Sequence, residues 1–207
     1  PARLIILDNK KLAKMDIKKE EEAKLALDKI KNSKFNITKI EKKRVKRNPL
    51  APFTTSTLQQ EASNKLGYGA SRTMSIAQRL YEGINIGSET TGLITYMRTD
   101  GVQLSSQAID EIRTEITNRH GATYIPDIPR VYKSKAANAQ EAHEAIRPTE
   151  IGRDPESISN YLDNEQLKLY ELIWKRTISS QMQSAELDET SADITSEDKT
   201  IAFRANG

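Results

Sequence analysis

Along this chain of 207 residues, apolar positions recur at helical spacing through the middle and fall in short or alternating runs near both ends. Residues 3–7 make a short apolar run that reads as a strand. Asp16 is placed to cap a helix reaching about residue 32, with Ala23, Ala26, Leu27 and Ile30 at i, i+3, i+4, i+7 spacing and Glu20 facing Lys24. Residues 35–45 are β-rich yet carry Lys39, Lys42, Lys43 and Arg44, followed by Lys46 and Arg47, which predicts an exposed strand running on into an extended crossing. Asn48-Pro49 and Ala51-Pro52 stop regular structure. Thr57 with Gln60 forms a capping box for a helix ending at Gly67, and a second helix over 71–82 buries Met74, Ala77, Leu80 and Tyr81 before Gly83. Residues 93–98 read as extended, closed by the turn pair Asp100-Gly101. Ser106 heads a helix with Ile109, Ile112 and Ile116 on one stripe. Asn138 and Glu141 box a short helix that Pro148 ends near Arg147. The longest helix starts at Asp163, with Gln166 three residues on, and buries Leu167, Tyr170, Trp174 and Ile178. Residues 183–207 alternate as a hairpin.

This pattern predicts an α+β, multidomain fold, in which a helical domain over 56–182 is inserted into a β-rich domain built from 1–55 and 183–207. Composition narrows the function classes. No stretch approaches the roughly 18 consecutive apolar residues of a membrane-spanning helix, and the opening apolar run is too short for a secretory signal. Zero Cys excludes disulfides, thiolate zinc sites and a Cys nucleophile, and two His exclude a His-rich metal site, so no metal is expected within the chain. A cytoplasmic location is the expectation. The net charge of +3 conceals an asymmetry: residues 1–55 hold 16 Lys and Arg against 7 Asp and Glu, while residues 183–207 hold 2 against 6. The basic opening points to an anionic partner such as nucleic acid, or else the two oppositely charged ends lie side by side and compensate each other.

Two clusters could carry chemistry. In Ile94-Thr95-Tyr96-Met97-Arg98-Thr99-Asp100-Gly101, an extended backbone would project Tyr96 and Arg98 the same way. A phenol is a poor nucleophile while protonated, and a neighbouring guanidinium stabilises phenolate and holds a phosphate bidentately, as covalent catalysis on a phosphodiester requires. The same spacing also describes a half-buried strand tyrosine beside a surface arginine. In Asn138-Ala139-Gln140-Glu141-Ala142-His143-Glu144-Ala145-Ile146-Arg147, a helix would align Gln140, His143, Glu144 and Arg147 on one face, from which His143 and Arg147 could both donate to phosphate oxygens. An amphipathic surface helix fits that spacing equally.

Four blocks taken in order are more specific than either cluster. Ala51-Pro52-Phe53-Thr54-Thr55-Ser56-Thr57-Leu58-Gln59-Gln60, then Thr73-Met74 with Ala77-Gln78-Arg79-Leu80-Tyr81-Glu82, then 94–100, then 140–149, closely resemble the type IA topoisomerase family, that of bacterial DNA topoisomerase I. The resemblance implies that Tyr96 attacks a phosphate of single-stranded DNA and becomes joined to the 5′ phosphate of the break. The other strand then passes, and the free 3′ hydroxyl reverses the reaction without ATP, relaxing negative supercoils. It implies that Arg98 assists the tyrosine and holds the scissile phosphate, and that His143 contacts DNA. Arg147 lies in the matching block, and its DNA-binding role rests on its helical face alone. The family's amino-terminal Toprim domain supplies a glutamate, a lysine and a magnesium-binding acidic triad. No triad of that spacing occurs here, nor the Cys of the family's zinc-binding tails. The expectation is a central fragment, arch plus tyrosine-bearing domain, with Mg2+ bound outside it. Its expected partners are single-stranded or negatively supercoiled DNA in the bacterial nucleoid and the remaining domains of the same polypeptide, with a monomer favoured. Tyrosine recombinases and type IB topoisomerases place the tyrosine last in chain order, whereas Tyr96 precedes His143. A single-stranded nucleic-acid binding module would fit the basic arm and the seven Tyr.

Overall fold

The computed structural model describes residues 1–87, 89–133 and 143–207. In chain order the elements are β1 (Ala2–Leu7), β2 (Lys10–Lys11), α1 (Glu20–Lys31), β3 (Phe35–Arg47), α2 (Thr55–Leu66), α3 (Ala70–Glu82), β4 (Ile84–Asn85), β5 (Thr90–Thr91), α4 (Ser106–His120), α5 (Asn164–Ser180), β6 (Ala185–Ser196) and β7 (Ala202–Asn206). Helices and antiparallel sheet are thus mixed in one chain, which divides into two compact units, 1–47 with 185–207, and 48–184. Residues 48–55, expected with the terminal arms, cluster with the helices instead.

The first unit is a five-stranded antiparallel sheet of order β2-β1-β7-β6-β3 with helix α1. β6 and β7 form the expected hairpin, with Ile194 opposite Phe203. Its apolar interior is thin: Ala26, Ile201 and Ala202 are buried, and Phe35 meets Phe203 edge to face at 5.4 Å. α1 begins at Glu20, because Asp16 accepts from the Ala13 N–H in a turn of its own and leaves Lys19 as the uncapped start. Of the expected stripe only Ala26 is buried, and Leu27 stays half exposed, since a helix with two alanines in its apolar stripe offers little area to cover. β3 pairs with β6 along its whole length, which puts Lys43 opposite Glu189, Arg44 opposite Asp188 and Lys46 opposite Glu186. The two oppositely charged ends of the chain therefore lie side by side.

The second unit holds the principal core: Phe53, Leu58, Ile76, Leu80, Leu93, Ile94, Met97, Ile112, Ile116, Ile146, Leu169 and Ile173 are almost fully buried. A side chain of this size contributes about 1.5–3 kcal/mol when fully removed from water. α5 has the capping box its sequence announces, Asp163 accepting from the Glu165 and Gln166 N–H groups. α2 starts earlier than expected, capped by Thr54 with Thr57 rather than by Thr57 with Gln60. α4 is capped by Ser105, not Ser106. In α3 the buried stripe is Thr73, Ile76, Ala77 and Leu80, and Tyr81, expected inside, is 40% exposed. Among the described residues no helix is long and apolar enough to cross a membrane.

Candidate active site

Three irregular segments of the second unit are stitched together: 53–55 at the entry to α2, 92–103 between β5 and α4, and 143–149. Residues 93–98 do not form the expected strand. Ile94 makes a single bridge to Pro148, and the remaining hydrogen bonds go to two different neighbours. On one side Thr95 donates its N–H to the Arg147 carbonyl at 2.8 Å and its hydroxyl to the Ala145 carbonyl at 2.7 Å, while Thr149 donates to the Leu93 carbonyl at 3.0 Å. On the other, Thr55 donates its N–H to the Thr99 carbonyl at 2.9 Å and its hydroxyl to the Met97 carbonyl at 2.7 Å. Because these partners lie on different segments, no continuous ladder forms.

Apolar side chains anchor the same loop. Ile94 and Met97 are buried, and so are Phe53 and Ile146 on the flanking segments, whose backbones meet where the Ile146 N–H donates to the Phe53 carbonyl at 2.9 Å. Arg176 holds the entry to α2: it donates to the Ala51 carbonyl at 3.1 Å, pairs with Glu61, and stands 4.3 Å from the centre of the Phe53 ring. At the loop's start, Gly92 runs against the end of α3. A Cβ there would sit 2.5 Å from the Tyr81 carbonyl oxygen. The Leu93 N–H donates to the Leu80 carbonyl at 2.7 Å.

With its neighbours pinned or buried, Tyr96 turns outward, 48% exposed, its ring edge to face with Tyr81 at 5.3 Å. Arg98 is also exposed and lines an open hollow of about 710 Å3 with Ser71, Ser75, Gln78 and Glu82 of α3. Each of the two has a neighbour in the last turn of α3, Tyr81 for Tyr96 and Glu82 in the hollow for Arg98, and they do not share the face of a strand. His143 is exposed, and its backbone touches the far end of the loop: a Cβ on Gly101 would lie 1.8 Å from the His143 carbonyl oxygen.

The expected helix over 138–147 is absent where it can be seen. Residues 143–149 are extended, with bridges from Glu144 to Gln103 and from Ile146 to Phe53. Residues 138–142, Gln140 among them, lie outside the described residues. The shared helical face on which the DNA-binding role of Arg147 rested therefore does not exist. The Arg147 side chain is 15% exposed, and its guanidinium engages Glu144 with two nitrogens, at 2.7 and 3.2 Å, and the Pro148 carbonyl at 2.8 Å. Burial pushes the Glu144 carboxyl up, but the Arg147 hydrogen bonds and charge and the Ser105 N–H outweigh it and hold it below the usual carboxylate range. Among the described residues no group of three or more His, Cys, Asp or Glu stands together as a metal ion would need. The magnesium implied by the resemblance has no holder among them, and no step below is routed through it.

Spacing did not point to Thr55 or Thr95; it put Tyr81 inside the core, and it set Glu144 and Arg147 on a common helical face without pairing them, although opposite charges three residues apart were a local signal.

A family model described as DNA topoisomerase matches residues 3–207. The chain belongs to that family. Among the family's curated members, DNA topoisomerase 1 of Rickettsia bellii is 54% identical over the whole of this chain, and that of Xylella fastidiosa strain Temecula1 is 50% identical. The chain spans about a quarter, 26%, of each of these relatives. A solved structure of full-length topoisomerase I from Thermotoga maritima superposes with a TM-score of 0.75 at 35% identity, covering 99% of this chain and 31% of that one.

Proposed function

We propose that this chain supplies the nucleophile side of an ATP-independent DNA topoisomerase, an isomerase that exchanges one phosphodiester for another. In the forward step the Tyr96 phenolic oxygen attacks the phosphorus of a single-stranded DNA linkage. A tyrosyl–phosphorus bond forms, the bond from phosphorus to the 3′ oxygen breaks, and the phenolic proton is matched by the proton the 3′ oxygen takes up. Attack by the 3′ hydroxyl after passage of the other strand runs the same step backward. One ester replaces another, so no external energy source is needed. Arg98 holds the non-bridging phosphate oxygens, where a fixed planar cation stabilises the charge of the transition state. His143 approaches from the other end of the loop and contacts DNA. Arg147, its guanidinium engaged with Glu144, shapes the 143–149 segment and does not touch the substrate. The reading places the β-rich unit as part of an arch around the passing strand, and the remaining catalytic groups, the magnesium holders among them, on further parts of a cytoplasmic polypeptide that acts as a monomer on single-stranded or negatively supercoiled DNA.

The observation that carries this reading is an exposed phenol on a loop pinned at Thr95 and at Met97, with an exposed arginine two residues on, in an open hollow. The experiment is covalent capture of a 3′-end-labelled single-stranded oligonucleotide by the intact enzyme. Tyr96→Phe should abolish the labelled adduct and leave oligonucleotide binding in place, and an adduct that persists in this variant overturns the assignment. In parallel, the 207-residue chain with magnesium and supercoiled plasmid should show no relaxation. Efficient relaxation would show that it needs no further catalytic groups.

A further inference from the structure

The reaction scheme leaves unused a threonine that brackets Arg98. Thr55, the first residue of α2, is half-buried. Its hydroxyl accepts from the Thr99 N–H at 2.9 Å and donates to the Met97 carbonyl at 2.7 Å, and its own N–H is taken by the Thr99 carbonyl at 2.9 Å. The Thr99 carbonyl also lies 3.1 Å from the hydroxyl, but one proton serves one short bond, and Met97 is nearer. The residue before Arg98 is thus held through its carbonyl, and the residue after it through both backbone groups. Among the described residues no hydrogen bond or ion pair holds the exposed Arg98 guanidinium, so what the fold fixes is the backbone from which the side chain starts. Thr95 clamps the opposite flank, and its partners are on 143–149.

We infer that Thr55 is a positioning residue, whose hydroxyl aims the Arg98 fork at the scissile phosphate. This rests on the assignment of Tyr96 and Arg98 above. Bidentate contact depends on angle, and misplacing a catalytic group by about 1 Å costs on the order of 10²-fold in rate. A lysine at 98 would be a point charge on a flexible stem and would need no aiming.

The test measures the rate of covalent oligonucleotide capture at saturating DNA by the intact enzyme. Thr55→Val keeps the shape and removes the hydroxyl, and Thr55→Ser keeps the hydroxyl. Thr55→Ala, which removes the hydroxyl with less bulk, is made beside them in case the valine variant does not fold. The expected result is a roughly 10- to 100-fold slower rate for Val and Ala with DNA affinity retained, and a rate near wild type for Ser. On an Arg98→Lys background, the same Thr55→Val or Thr55→Ala change should cost no more than about twofold, because the directional contact is already gone. Equal losses on both backgrounds would mean that Thr55 serves folding alone, and a wild-type rate in Thr55→Val would remove the role outright. An Arg98→Lys enzyme that captures DNA at the wild-type rate would show that no fork needs aiming, which also overturns the inference. Capture by Tyr96→Phe would instead mark failure of the underlying assignment, which separates the two.

Discussion

Tyr96 keeps about half its surface open while Ile94 and Met97, two positions before and one after, are buried. That contrast makes it a candidate nucleophile, because a ring exposed on a pinned backbone can be reached by a substrate and still be aimed. Beside it, Glu144 and Arg147 hold the 143–149 segment in its extended path. Glu144→Gln should lower stability by about 1–3 kcal/mol, since the partly buried guanidinium loses its charged acceptor. The pH dependence follows from the sign of the shift. The Glu144 carboxyl is held below its ordinary range in the folded chain, so its contribution is complete above the unfolded value of about 4.3 and is lost as pH falls through the lower folded value. Thermal melts of wild type and Glu144→Gln should therefore differ at neutral pH and converge in acid, below the ordinary carboxylate range. A constant offset down to strong acid would show that the carboxylate charge is not what stabilises the segment.

At the scale of the elements, the start of α2 does two jobs. Thr54 caps the helix, and Thr55 in the next position clamps the tyrosine loop. Thr54→Ala should cost about 1 kcal/mol in chemical denaturation, and if α2 instead began at the Thr57–Gln60 box, the change would be neutral. The chain's own pattern points to Thr57-x-x-Gln60, whereas the folded helix starts at Thr54 with Thr57. The choice between them falls to Thr99, whose carbonyl takes the Thr55 N–H and whose N–H takes the Thr55 hydroxyl from 44 residues away. At Asp163 with Gln166 the expected cap is the observed one. Residues 93–98 show the opposite case. Their composition suits a strand, but their partners are divided between two segments that local pattern does not reveal.

Across the whole chain, charge and apolar area are distributed differently in the two units. The helical unit buries a large continuous core, while the sheet unit buries little and leaves Ile37 and Ile40 more than 60% exposed. Its basic strand β3 is matched by β6: Arg44 stands 3.5 Å from Asp188 and 3.9 Å from Glu186, and Lys46 stands 3.6 Å from Glu186. These pairs are exposed, so they add little stability, but they cancel the field of the arm. Glu186→Gln with Asp188→Asn should uncover it: oligonucleotide affinity at about 50 mM salt should rise severalfold and the salt dependence steepen, with the melting temperature nearly unchanged. Unchanged binding in the double variant would mean that the arm does not face nucleic acid.

The sequence alone was enough for what depends on near neighbours: five helical stretches, most of the residues on the α4 and α5 stripes, the Asp163 cap and the terminal hairpin. Only the tertiary structure decided that 143–147 is extended, that Arg147 is engaged with Glu144, that Tyr81 lies against Tyr96, and that Thr55 and Thr95 clamp the loop. The reason is physical. The partners of Thr55 and Thr95 lie 42–52 residues away, and hydrogen bonds of that reach exist only once the core has brought the segments together.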